Sequence, residues 1–332
     1  MDEANVRDSP DRFAPRSRRR DLLGLAISAV LLAAVVWWAL EQPKPTFPSS
    51  PENLLPLAVA IGLYAVATVI RGWRWHMILL HAGIGHARAD AYALTVVGYM
   101  GNTVLPARGG EILRILLLGE RTDARRREIL GSIVAERALD AVALVVLFAV
   151  LTWSRVAGAP VGQTPAAVSL ALIAAAAVVL VFYVWLRRRG RLERFASIVR
   201  PFLRASRLMV GRLGLVLLAV TIGVWFLEGA IFWLIGQSLE LDVAFLEGLF
   251  LVVLTSFFLS VPSAPGYLGT FDAALIFGLK ALDIDGGEAV SFVLLARFVL
   301  FVPITVAGLI LMLTRYGGFG RMFGRRPAED ED

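Results

Sequence analysis

The side chains of this sequence that can do chemistry are charged groups set in long apolar stretches. Glu111 and Arg114 follow a Pro/Gly-rich interruption. Glu136, Arg137 and Asp140 share one apolar run, and Glu228 stands alone in another. Asp272 and Lys280 follow a second interruption, and Arg297 lies within a third run. An ionisable group at membrane depth costs at least a few kcal/mol, so such groups point inward, to one another or to water. Glu136 and Asp140 at i, i+4 share a helix face, and Arg137 and Asp140 at i, i+3 are within pairing reach. Arg297 has no acid within four positions on its own helix. Its partner comes from elsewhere: Asp272, Glu228 or an anion of a ligand. A guanidinium fork matches phosphate through two parallel hydrogen bonds. The chemistry to expect is anion binding.

The two interruptions read Pro106-Ala107-Arg108-Gly109-Gly110-Glu111 and Pro262-Ser263-Ala264-Pro265-Gly266-Tyr267-Leu268-Gly269. Each frees backbone N–H and C=O groups, and the apolar tail after each starts a helix whose N-terminus favours anions. Glu111 and Asp272 fall where those helices start. Either each caps its own first turn, or the helix ends and arginines together bind a phosphate. In the second case Asn102 and Arg108 flank an inner site, and Tyr267 and Thr270 an outer one.

Signatures of bond-making enzymes are missing. There is no Walker A pattern, no GxSxG and no HExxH. With no cysteine, disulfides, thiolate metal sites and Cys nucleophiles are excluded. His76, His81 and His86 are read as one loop; at five-residue spacing they do not stack on a helix face, so no metal or cofactor is expected. Trp73, Arg74 and Trp75 beside them read as an interfacial belt.

These groups need a scaffold, and composition names its class. The chain has 332 residues, 58% of them hydrophobic and 18% charged, with mean hydropathy +0.71. Soluble domains are about 45–50% apolar and about 25% charged, so a soluble enzyme and a disordered chain are both excluded. The net charge of +6 and pI near 10.1 would also suit a nucleic-acid binder. In an apolar chain, arginines instead mark cytoplasmic loops facing anionic lipid. The fold class is an all-α polytopic integral membrane protein.

Full spans are expected at 22–40, 54–70, 129–152, 166–186, 213–236 and 288–313, each long enough for a core of roughly 30 Å. The run at 22–40 is too long for a signal peptide and lacks a cleavage pattern. The regions 91–118 and 244–282, broken by the two interruptions, are expected to be re-entrant hairpins. The piece 112–118 is only about 10 Å long as a helix and cannot span. Charge supports this. With both termini cytoplasmic, segments 1–21, 71–90, 106–128, 187–212 and 314–332 hold 28 of the 33 Lys and Arg residues. Within 187–212, apolar residues recur at helical spacing among arginines, which predicts an interfacial amphipathic helix.

The broken regions also match each other. Glu111 precedes Arg137 by 26 residues, and Asp272 precedes Arg297 by 25. Repeat one (54–152) and repeat two (213–313) then enter from opposite sides, as inverted repeats do in many transporters. The domain reading is a basic N-terminus (1–21), a transmembrane domain (22–313) and a tail (314–332).

The segment from Gly101 to Arg114 closely resembles the first motif of the lysylphosphatidylglycerol synthase transmembrane-region family, the flippase-like domain of the bacterial multiple peptide resistance factor. Ala135-Glu136-Arg137-Ala138-Leu139-Asp140 resembles its second motif. The stretch from Val261 to Asp272, and Arg297, are similar to its third and fourth. The family pattern usually has Glu where Asp272 stands. The resemblance implies an inner-membrane protein that handles polar lipids. The last run ends at Leu313 and the chain at Asp332, so lysyl transfer is not expected. Two main readings of function remain open here, beside a third in which an intramembrane enzyme uses Glu111 or Asp272 as a base. One is a non-enzymatic flippase or transporter acting on an anionic or phosphate-bearing lipid. The other is a membrane subunit that presents lipid to a partner enzyme.

Overall fold

The computed structural model describes residues 37, 40–42, 44–105, 108–153, 211–259 and 264–318. Every regular element among them is a helix. The helices are α1 Pro51–His81, α2 Arg88–Val104, α3 Gly109–Gly119, α4 Arg126–Trp153, α5 Arg212–Ser238, α6 Phe245–Phe258, α7 Thr270–Lys280 and α8 Gly286–Tyr316. A 3-10 turn, Pro265–Tyr267, precedes α7. The first span, 22–40, lies almost wholly outside the described residues. So do the fourth span at 166–186, the amphipathic segment except Gly211 and Arg212, most of the tail, and the break prolines Pro106 and Pro262.

Local sequence explains the boundaries. Ser50 accepts a hydrogen bond from the Asn53 N–H, with Pro51 at the first helical position and Glu52 in the first turn, so α1 starts there. Its far end turns at Gly83, with φ +74°. Helix α8 stops at Gly317, which is left-handed at φ 75°. Helices α1, α5 and α8 are 31, 27 and 31 residues long and apolar enough to cross a membrane. Helix α4 has 28 residues, about 42 Å, but carries Glu136, Arg137 and Asp140. Large apolar side chains face outward on the long helices, as with Val302, Val306, Ile310 and Leu313 on α8. A stripe at i, i+4, i+8, i+11 is what a lipid-facing surface requires.

The described helices divide into two sets of like order. Lengths of 31, 17, 11 and 28 residues in α1–α4 are followed by 27, 14, 11 and 31 in α5–α8. Exchanging α1 with α5, α2 with α6, α3 with α7 and α4 with α8 leaves the map of packed helix pairs unchanged. The α2–α8 contact becomes α6–α4, α4–α5 becomes α8–α1, and α1–α5 maps onto itself. That self-related pair is antiparallel: Asn53 meets Glu240, Arg71 meets Glu228 and Arg74 meets Thr221.

Each broken region folds back on itself. Arg121, just past α3, reaches Asp90 at the start of α2 at 3.1 Å, so α2 and α3 enter and leave at one end of the molecule. Helices α6 and α7 pack together likewise. Their flanking residues gather at the other end, where Thr46 donates to Ser291 and Asn53 to Glu240. The α2–α3 crossing is made backbone to backbone. A Cβ on Gly110 would overlap the Gly98 carbonyl, and one on Gly101 would meet Gly110 Cα at 2.6 Å. Small residues at helix contacts permit this approach.

Three expectations need correction. The reading of 71–90 as one loop fails for 71–81, because α1 continues to His81 and buries Arg71 and Arg74 at 5% and 0% exposure, leaving only 82–87 between the helices. Paired guanidinium groups tolerate such burial, so a charge did not end the helix. The aromatic belt fails for the same reason: Trp75 is fully buried, donating to Ser132 beneath the Arg114 guanidinium, 3.9 Å from the ring centroid. The histidines are not in one loop either. His76 and His81 are on α1, and only His86 lies beyond it, with its Nε2 2.8 Å from His76 Nδ1.

Candidate functional site

A cavity of about 250 Å³ lies where the two helix sets meet. Its wall takes side chains from α1, α2, α4, α5, α6, α7 and α8, and from both breaks. Arg108 represents the first break and Tyr267 the second. The expectation of separate inner and outer sites is therefore corrected. The two breaks meet, with Arg108 Nη2 donating to the Leu259 carbonyl at 3.1 Å, so one chamber replaces two.

The breaks are held in unusual backbone. Arg108 is left-handed at φ 57° and sits at the N-cap of α3; Gly266 and Tyr267 are left-handed at 64° and 54°. For a non-glycine residue this costs about 1 kcal/mol or more. Gly109 and Gly110 do not take positive φ. Gly110 serves close approach to α2 instead. The α3 N-terminus is capped from α2, where Asn102 Oδ1 accepts from the Gly110 N–H at 3.0 Å. In the second unit Asp272 caps its own helix, accepting from the Gly269 N–H at 2.9 Å. Thr270 is buried, its hydroxyl donating to the Tyr267 carbonyl, and does not line the cavity.

The expected charges divide into two groups. Arg297 meets Asp272 fork to fork and also donates to the carbonyls of Gly266 and Tyr267. This tie holds the second break and stands apart from the cavity wall. The other group is a network. Arg71 pairs with Glu228 at 2.5 Å. Arg74 donates to Asp140 at 2.6 Å, to Glu136 at 3.1 Å and to Thr221 at 2.8 Å. Arg114 takes the other oxygen of Glu136 at 2.7 Å. Arg137 is held differently. Its contacts to Asp140, Glu136 and Glu111 run at 3.4, 3.7 and 3.8 Å, longer than any of these; its buried Nε, like those of Arg74 and Arg114, has no hydrogen-bond partner. Glu111 is 4.0 Å from Arg108.

Among the described residues this network sets five arginines against four carboxylates, a formal surplus of one positive charge. Arg71, Arg74 and Arg114 are each matched closely. The surplus therefore falls on Arg108 and Arg137, which share Glu111, and both line the cavity. Their side chains are 34% and 33% exposed, against 0–6% for the matched three.

Of the residues singled out from sequence, Asn102, Arg108, Arg137, Asp140, Glu228 and Tyr267 line the cavity. Glu111, Arg114 and Glu136 support it from behind, and Asp272 and Arg297 brace the second break. Sequence reasoning missed Arg71 and Arg74, together with the cavity aromatics Tyr64, Tyr99 and Trp225. A signal was there: Arg71, Trp75, Ile78 and Leu79 continue the helical spacing of the preceding span. No group of three or more metal-ligating side chains occurs among the described residues.

Long apolar helices, outward apolar stripes and a buried charged chamber define a polytopic α-helical membrane protein. The family model for the lysylphosphatidylglycerol synthase TM region matches residues 22–308, and the chain belongs to that family. It is also similar to the UPF0104 membrane protein MJ1078 of Methanocaldococcus jannaschii, at 23% identity over 214 residues, covering 63% of this chain and 92% of that one.

Proposed function

We propose that this protein carries an anionic or phosphate-bearing lipid across the cytoplasmic membrane by alternating access and makes no covalent change to it. The observation that carries this reading is the cavity between the two helix sets, with Arg137 turned into it and loosely held. The headgroup enters that chamber, and the acyl chains stay in the bilayer. The two sets act as inverted repeats, each with one re-entrant hairpin, within a domain of six full spans and two hairpins. The antiparallel α1–α5 pair supports that inversion, because an exchange that relates two antiparallel spans has its axis in the membrane plane. The end holding Arg88, Arg125, Arg126 and Arg127 faces the cytoplasm by the positive-inside rule, and both termini lie there. Glu240, Asp242, Asp283 and Asp285 mark the outside.

The test is purified protein in liposomes loaded with fluorescent short-chain lipids on one leaflet. Transport predicts protein-dependent movement of an anionic lipid without added partner. Movement only with a second protein would instead favour a subunit that presents lipid to an enzyme. A chemically altered lipid would make the chain an enzyme.

A further inference from the structure

The cavity wall carries more information than a positive sign. Its two carboxylates are each engaged by an arginine, Asp140 by Arg74 from behind and Glu228 by Arg71 within the wall itself, so no carboxylate is left to receive an ammonium. The faces of Tyr99 and Trp225 meet the Arg71 guanidinium at 5.7 and 5.9 Å, so they do not form an empty cage for a quaternary amine. The unmatched charge is one, shared by Arg108 and Arg137 over Glu111.

The neutral polar groups add a second requirement. Trp225 is 8% exposed, lines the cavity, and its indole N–H has no hydrogen-bond partner. An indole N–H can only donate, so it calls for an acceptor in the chamber. Thr103 and Thr255 also line the cavity, and their hydroxyl protons are spent on helix carbonyls, those of Tyr99 for one and Leu251 and Val252 for the other. What a threonine in that state presents is lone pairs, which call for a donor. A group that offers acceptors and donors together without charge is a hydroxyl.

We infer that the cavity selects a phosphodiester of one negative charge bearing a neutral, hydroxylated headgroup, of the glycerol, inositol or hexose kind, over zwitterionic and cationic headgroups. The inference rests on the lipid-handling reading above and names its substrate class. The phosphate sits against Arg137 and Arg108, and the hydroxyls face Trp225 and the threonines.

The experiment competes lipids for the purified full chain and reads retention by native mass spectrometry, with vesicle transport of the same probes read separately. The probes are phosphatidylglycerol, phosphatidylinositol, phosphatidylethanolamine, phosphatidylcholine and phosphatidic acid, with water-soluble glycerol 3-phosphate as a free anion. Phosphatidylglycerol and phosphatidylinositol are retained about tenfold or more over the zwitterionic pair, the size expected of one charge-assisted contact. Arg137→Gln abolishes that preference, and Arg137→Lys keeps part of it. Trp225→Phe weakens the hydroxylated lipids about fivefold, the loss of one neutral hydrogen bond, and leaves phosphatidic acid unchanged. Equal retention of phosphatidylethanolamine or phosphatidylcholine overturns the inference, as does phosphatidic acid binding as well as phosphatidylglycerol. Glycerol 3-phosphate competing as well as the lipids would make the ligand a soluble anion. Transport failure with the retention pattern intact would sink the transport reading alone.

Discussion

Arg297 and Asp272 face each other fork to fork, Nε to Oδ1 at 2.5 Å and Nη2 to Oδ2 at 2.6 Å, while their counterparts Arg137 and Glu111 stand 3.8 Å apart. The two pairs occupy matching places, each joining the third residue of a short helix to the long helix that follows. One is closed and braces a break. The other is open beside the cavity, so the two helix sets are alike in architecture but not in state.

That difference separates the roles of the two arginines. Removing Arg297 strands the Asp272 carboxylate and frees the carbonyls of Gly266 and Tyr267, so Arg297→Gln should cost about 3–5 kcal/mol. Adding Asp272→Asn should recover much of the loss, because no lone charge remains. Arg137→Gln leaves four arginines against four carboxylates and should cost little stability while abolishing transport. Thermal unfolding in detergent, with transport measured beside it, checks all three. Equal destabilisation by Arg137→Gln and Arg297→Gln would refute the division.

The α2–α3 crossing predicts a sharp contrast between glycines. A methyl at Gly110 has no room against the Gly98 carbonyl and Asn102, whereas Gly62 on α1 has nothing within 4 Å of a built Cβ. Gly110→Ala should push the short helix off α2 and lower the melting temperature by several degrees or prevent folding, in the range of about 1–3 kcal/mol for overpacking. Gly62→Ala should be neutral or slightly stabilising, since alanine is the better helix former. Melting curves that coincide for the two variants would show that the crossing is not close-packed.

Much of this was legible in the sequence because it rests on local chemistry. Apolar run lengths mark α1, α4, α5 and α8, and Pro/Gly clusters mark both breaks. The 26- and 25-residue spacings put Arg137 and Arg297 opposite Glu111 and Asp272. What local pattern could not give was partnership. Arg71 and Arg74 read as loop charges because the acids that neutralise them, Glu228, Glu136 and Asp140, come from helices far along the chain. The merging of two expected anion sites into one chamber likewise depends on where the breaks meet. Asn102 shows a third limit: its type suited a ligand contact, but its carbonyl oxygen is spent capping α3.

The absence of cysteine makes orientation directly measurable. Ser49 and Asp123 are both exposed and lie at opposite ends of the helices, before α1 and after α3. In intact cells, Ser49→Cys should react with an impermeant maleimide added outside. Asp123→Cys should react only after the membrane is opened. The reverse pattern would invert the topology and place the arginine-rich end outside, against the positive-inside rule.

Alternating access requires both ends of the helix sets to move, and each end has a polar tie. At one end Asn53 on α1 donates to Glu240 beyond α5 at 2.6 Å. At the other, Arg121 after α3 donates to the Arg315 carbonyl at 2.8 Å, and both arginines bind Asp90. The first tie joins the two sets at the acidic end, and the second joins the first hairpin to α8 at the basic end. If the sets rock about the cavity, fixing either tie should stop turnover. Asn53→Cys with Glu240→Cys, and separately Arg121→Cys with Arg315→Cys, can be bridged by a short cleavable bifunctional thiol reagent. Each bridged protein should lose transport and regain it when the bridge is cleaved, and the single-Cys variants treated identically should be unaffected. Blockage by one bridge alone would place the whole motion at that end. Full transport with both bridges closed would mean that the headgroup passes without the two helix sets moving, and the alternating-access reading would have to be abandoned.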